Sequence, residues 1–177
     1  MADSADSPEV VPELVGASER PVELAGLPAS VDVVLDRRSV QDRRLQSDDA
    51  GPSQVFLNLE DIQGERNPSV GYEVFVQVGG AEAHYVGNVS FFGIEHTSAR
   101  GADVDGPHGM RRTFDITSLA DTLRSRGEWD DQRLTVAFRP LGLIPADSLD
   151  DDLEDTGTAD DAEPATVQVG RVSVFYS

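Results

Sequence analysis

The chain has no cysteine among its 177 residues, and all 14 of its basic residues are arginine, with no lysine. Without cysteine there can be no disulfide, no thiolate metal site and no cysteine nucleophile. A cysteine-free chain suits any redox compartment, so this absence does not set its location. No run approaches the roughly eighteen consecutive apolar residues of a spanning helix. The start, Met1-Ala2-Asp3-Ser4-Ala5-Asp6, lacks the apolar stretch of a secretory signal. Together these predict a cytoplasmic protein, or one that is exported with a partner carrying the signal. Positive charge is scarce: 33 acids leave a formal net charge of −19. Such a charge repels phosphate backbones and anionic lipid, which argues against nucleic acid and membrane as partners. Arginine without lysine, and Asp in excess of Glu, fit a salt-adapted or a GC-rich prokaryote, and composition does not separate the two.

Catalytic signatures are missing as well. There is no Gly-x-Ser-x-Gly elbow to expose a serine nucleophile. The glycine-containing loop Gly101-Ala102-Asp103-Val104-Asp105-Gly106 carries carboxylates that would repel a phosphate. Three imidazoles, His84, His96 and His108, are the candidates for a zinc or copper set. None of them has another at helical ligand spacing, and each lies near a strand end or in a loop, so no metal, cofactor or catalytic residue is expected in this chain. Asn88-Val89-Ser90 matches the N-glycosylation pattern but falls inside a strand candidate, and reads as coincidence. The chain is not expected to be an enzyme by itself.

What is present is the period of β-strands. Val55, Leu57 and Leu59 alternate with Phe56, Asn58 and Glu60. Tyr72, Val74, Val76 and Val78 share a face opposite Glu73, Phe75 and Gln77, and Gly79-Gly80 supplies a hairpin turn. Tyr85 to Ile94 reads as a further strand, which would send Phe91 and Phe92 to opposite faces. Leu134, Val136 and Phe138 alternate up to Pro140, and a last strand runs from Val167 to Tyr176. One helix interrupts them: Ile116, Leu119, Ala120 and Leu123 form a single apolar stripe. Asp115 or Thr117 can cap its start, Arg124 and Arg126 suit its last turn, and Gly127 can end it.

Hydrophobic residues make up 38%, low for a chain that is core throughout, so part of the length should lie outside the core. Residues 1–52 read as an acidic leader without a core of its own, containing one short strand at Val31, Val33, Val34 and Leu35. Within it, Asp36 to Pro52 reads as a solvated, arginine-bearing linker. Residues 53–177 read as an all-β, antiparallel β-sandwich with one short helix. The stretch 147–163, from Asp147 to Glu163, has acids and no base, and should be a disordered loop. A calcium site there lacks the EF-hand spacing.

Several blocks, taken together, resemble the C-terminal domain of tyrosinases and polyphenol oxidases, dicopper enzymes that oxidise phenols. The carrying residues are Val55-Phe56-Leu57-Asn58-Leu59-Glu60-Asp61-Ile62, Gly71-Tyr72-Glu73-Val74-Phe75-Val76, Val86-Gly87-Asn88-Val89-Ser90-Phe91-Phe92-Gly93-Ile94, Phe114-Asp115-Ile116-Thr117 and Val169-Gly170-Arg171-Val172-Ser173-Val174-Phe175-Tyr176. Where that family has Lys-Phe-Asp-Val, this chain has Gly71-Tyr72-Glu73-Val74, so only the valine is identical. The resemblance spans roughly residues 53–143 and 165–176, and Leu14 to Leu24 resembles the connecting segment before that domain in bacterial members.

The resemblance implies a jelly-roll-like sandwich. It also implies a partner, a dicopper domain or subunit in which six histidines hold the copper. The present chain would cover that site with one bulky side chain at its entrance, and could help it fold or load metal. Candidates for the docking side chain are Phe92 and Met110, the latter on the loop from Glu95 to Arg112, although a large aromatic such as Phe92 is ordinarily buried. The rival expectations are a stand-alone β-sandwich module for another protein or a sugar, and a metal-dependent enzyme using the three histidines.

Overall fold

A computed structural model describes residues 11–36, 54–66, 68, 70–95, 109–141 and 165–177. The alternating segments pair into an antiparallel sheet that curls until it is nearly closed, and the apolar side chains fill the interior. The strands are β1 (Glu13–Ser18), β2 (Val22–Leu24), β3 (Ala29–Leu35), β4 (Val55–Gly64), β5 (Tyr72–Val78), β6 (His84–Val89), β7 (Met110–Asp115), β8 (Arg133–Pro140) and β9 (Val167–Tyr176), with one helix, α1 (Thr117–Ser125), between β7 and β8. Their order is β6-β5-β8-β3-β1-β9-β4-β7, and β2 pairs with β9 beside β1. The alternation predicted for β4, β5 and β8 is the alternation observed. Val55, Leu57, Leu59, Tyr72, Val74, Val76, Val78, Leu134, Val136 and Phe138 are all buried.

The leader does not behave as an arm without a core. Three strands come from it: β3 lies between β8 and β1, and β1 and β2 both pair with β9. Val15, Val22, Leu24, Val33 and Leu35 are buried in the common core. The strands are short and rich in acids on their outer face, so their hydrophobic signal is diluted when read locally. β1 and β3 pair with each other, and they join the rest of the sheet only through β8 and β9, roughly a hundred residues or more along the chain. The rest of the expected linker, residues 37–53, and the acidic stretch 147–163 lie outside the described residues.

Helix α1 ends as its signals demand, but its N-cap position is Ile116, whose side chain caps nothing, rather than Asp115 or Thr117. Asp115 Oδ1 accepts hydrogen bonds from the Thr117 backbone N–H at 2.9 Å and from the Thr117 hydroxyl at 2.5 Å. At the other end Gly127, at φ +69°, lets its own N–H reach the Arg124 carbonyl at 3.0 Å and that of Glu128 reach Leu123 at 2.8 Å. This paired closure satisfies two of the orphan carbonyls of the last turn. Arg124 then lies over the rings of Trp129, at 5.1 Å, and Tyr176, at 5.6 Å, joining the helix to the end of β9.

Two strands change phase opposite each other. The core-facing series runs from Leu59 to Ile62 in β4 and from Val169 to Val172 in β9, three residues in place of two. Asp61 takes up the difference at φ +51°, in a bulge against β7. A Cβ on Gly109 would stand 2.4 Å from the Asp61 Cα, so the bulge requires glycine there, while one on Gly170 would press at 2.7 Å on the Asp61 carboxylate, which would have to move.

Candidate docking site

The segment after β6 is not a continued strand. Pairing with β5 stops at Val89, and Phe91 to Ile94 form a tight turn in which the Ile94 N–H bonds to the Phe91 carbonyl at 3.1 Å. Gly93 stands at φ +81° in its third position, the geometry of a type II turn. Phe91 and Ile94, the two outer residues, are buried, while Phe92 at the turn's tip is 88% exposed. The ordinary expectation that Phe92 packs inward therefore does not hold. The turn directs both flanking residues to the core, and this leaves the tip no inward direction.

The turn is fixed to the sheet through Tyr72. The ring of Phe91 meets that of Tyr72 at 6.0 Å between centroids. The Tyr72 hydroxyl in turn accepts the Gly26 N–H at 2.6 Å, which ties the loop between β2 and β3 to the same place. Burial of the phenol pushes the Tyr72 pKa up, against the opposing effect of that hydrogen bond, so it stays a neutral hydroxyl at physiological pH. The hydroxyl of Tyr72 thus has a partner within the fold. Of its motif neighbours, Val74 is core, while Glu73 and Phe75 are half-buried on the outer face of the sheet.

Met110 is not on a loop. It is the first residue of β7, opposite Ile62, and packs partly buried against the core, so it offers little to a partner. His84 begins β6 and is half-buried, whereas His96 and His108 lie outside the described residues. Among the described residues no group of three His, Cys, Asp or Glu side chains could hold a metal ion. Three histidines in the whole sequence also cannot supply the six that the resemblance assigns to a dicopper site, so no step through copper is derived for this chain.

Two exposed side chains that alternation does not mark, Leu27, 69% exposed, and Leu141, 38% exposed, lie at places tied to Gly71 and Tyr72: the Gly26 N–H bonds to the Tyr72 hydroxyl and the Leu141 N–H to the Gly71 carbonyl. The signal that could have found them is the absence of charge around them. Residues 24–31, 85–94 and 140–141 contain no Asp, Glu or Arg, although 27% of the chain is charged.

The family described as a domain of unknown function (DUF7868) matches residues 11–177. The chain belongs to this family. The DUF7868 match starts before β1, in agreement with the place of the leader strands in the core. The chain is also 25% identical over 167 residues to Tyrosinase HcTyr1 of Hahella sp. (strain CCB-MM4), an alignment that covers 92% of this chain and 32% of that protein. This DUF7868 chain thus spans about a third of the length of the curated relative it matches. Among the described residues no helix is long and apolar enough to cross a membrane.

Proposed function

We propose that the chain is a non-catalytic accessory domain that packs on a dicopper phenol-oxidase domain and shields its entrance. Phe92 carries this reading: a phenyl ring 88% exposed on a turn whose two ends are anchored in the core. The backbone that carries the ring is already fixed, so entering a recess costs the rotamer freedom of the side chain but little ordering of the turn. Burying it would contribute about 2–3 kcal/mol, or roughly 30- to 150-fold in affinity. The partial relationship to a tyrosinase supports the choice of partner, and copper would belong to that partner alone.

The test is to coexpress the chain with the dicopper oxidase subunit of its own host and to assay diphenol oxidation with and without it. A complex of low activity, relieved by Phe92→Ala, is the expected result. No complex and an unchanged rate would refute the proposal. One feature favours a second reading, a stand-alone binding module. On the outer face of the sheet Tyr85, 55% exposed, meets Phe75 edge-on at 5.7 Å, with Arg139 stacked over Phe75 at 4.4 Å. Binding of a soluble glycan that is lost in Tyr85→Ala would favour that reading.

A further inference from the structure

Sheet register brings four strand ends to one end of the molecule. Tyr72, at the start of β5, lies opposite Val89 at the end of β6 and Pro140 at the end of β8, while Ala29, at the start of β3, lies opposite Phe138. The Leu141 N–H bonds to the Gly71 carbonyl at 2.8 Å, and a Cβ added at Gly71 would stand 3.1 Å from the Leu141 Cδ1. Tyr72 is therefore a hub. Its hydroxyl holds the loop bearing Leu27, its ring meets Phe91 beside Phe92, and its preceding residue holds Leu141.

We propose that Leu27, Phe92 and Leu141 form a three-loop docking surface for the partner protein, with Phe92 as its central projection and the two leucines as flanking anchors. The proposal rests on the reading given under Proposed function and names the surface that reading requires. Charge argues for the occupant. A segment set without a charged side chain, on a chain of net charge −19, has the depletion typical of the centre of a protein interface. A second copy would bring another −19 against it, so the fitting occupant is a different protein face, apolar at its centre and basic at its rim. The relative supplies the precedent for a protein neighbour, because two-thirds of its length lies outside the matched segment.

The experiment titrates the intact chain into the copper-loaded oxidase subunit of its host and follows hydrogen exchange on the complex. Leu27→Asp should weaken binding about tenfold or more while leaving the thermal midpoint unchanged, and Leu141→Asp, at a side chain only 38% exposed, should weaken it as much with a small fall of the midpoint. Exchange should slow in 24–31 and 89–94. Tyr72→Phe should speed exchange at the Gly26 amide and weaken binding less than either Asp variant, and Tyr85→Asp, on the sheet face, should bind as the parent does. A complex that ignores both leucine variants, or is protected at Tyr85, overturns the surface and leaves the accessory role standing. The absence of any complex overturns the accessory role, and self-association that is lost in Leu27→Asp overturns the choice of occupant.

Discussion

The entry to α1 gives a quantitative test of how helix and sheet are joined. Thr117 is a relay: its hydroxyl accepts the Val55 N–H at 2.9 Å and donates to Asp115 Oδ1. Val55 is fully buried, so its N–H has no water to turn to. Thr117→Val keeps the shape but leaves this donor unpaired, a loss of about 1–3 kcal/mol. It also takes one of two donors from Asp115. Those donors hold the Asp115 pKa below the ordinary carboxylate value, the hydroxyl first and the backbone N–H second, against a small opposing effect of burial. A pKa lowered in the folded state stabilises above the unfolded-state pKa, and the contribution is lost as pH falls through the folded pKa. Asp115→Asn should therefore be less stable than the parent near neutral pH, and the gap should close in strong acid. At 2 kcal/mol, Thr117→Val should lower the thermal midpoint by about 4–8 °C. Urea unfolding of Thr117→Val, Asp115→Ala and the double variant completes a cycle with a coupling of about 0.5 kcal/mol or more. Strict additivity, or a gap between Asp115→Asn and the parent that persists in strong acid, would refute the relay.

Gly87→Ala should cost about 1–3 kcal/mol by urea unfolding, because its Cβ would stand 2.7 Å from the Phe114 ring where β6 approaches β7. Gly93→Ala places a Cβ at φ +81° and should cost about 1 kcal/mol, with weaker partner binding as the turn that presents Phe92 shifts. Phe92→Ala should move stability by less than about 0.5 kcal/mol, since the ring is 88% exposed, and a larger loss would show that it packs on the fold.

How much of this was legible depends on the range of the physics involved. Strands β5 and β8 were readable because each buries every second residue, and β4 and β9 because their apolar residues do so on either side of the phase change, with β9 bounded correctly at Val167 and Tyr176. Helix α1 was readable because the stripe, the Asp115 contact with Thr117 and the Gly127 stop act within a few residues. The leader reads locally as an arm because its strands join the core through β8 and β9, far along the chain, and Val15, Leu24 and Val33 are buried there. The strand drawn through to Ile94 failed at a single torsion. Gly93 at φ +81° turns the chain, and nothing in the alternation of neighbouring residues encodes that. The phase change was visible in principle, as the three-residue spacings Leu59–Ile62 and Val169–Val172, but a bulge is identified only when both strands are seen paired.

The net charge illustrates the same point for function. A value of −19 argues against nucleic acid and lipid, yet as a sum it hides where charge is missing. The uncharged segments 24–31, 85–94 and 140–141 are separated in sequence by dozens of residues, and individually each resembles an ordinary loop or strand end. Antiparallel register places their ends together: β3 starts where β5 starts, and β6 and β8 end there. The Tyr72 hydroxyl then joins two of the loops through one hydrogen bond. If these segment ends dock a partner as proposed, the negative charge of the chain would repel a second copy while leaving a basic-rimmed partner free to approach. On that proposal the acidity and the apolar end act together: one would select against the wrong partner, and the other would supply the contact for the right one.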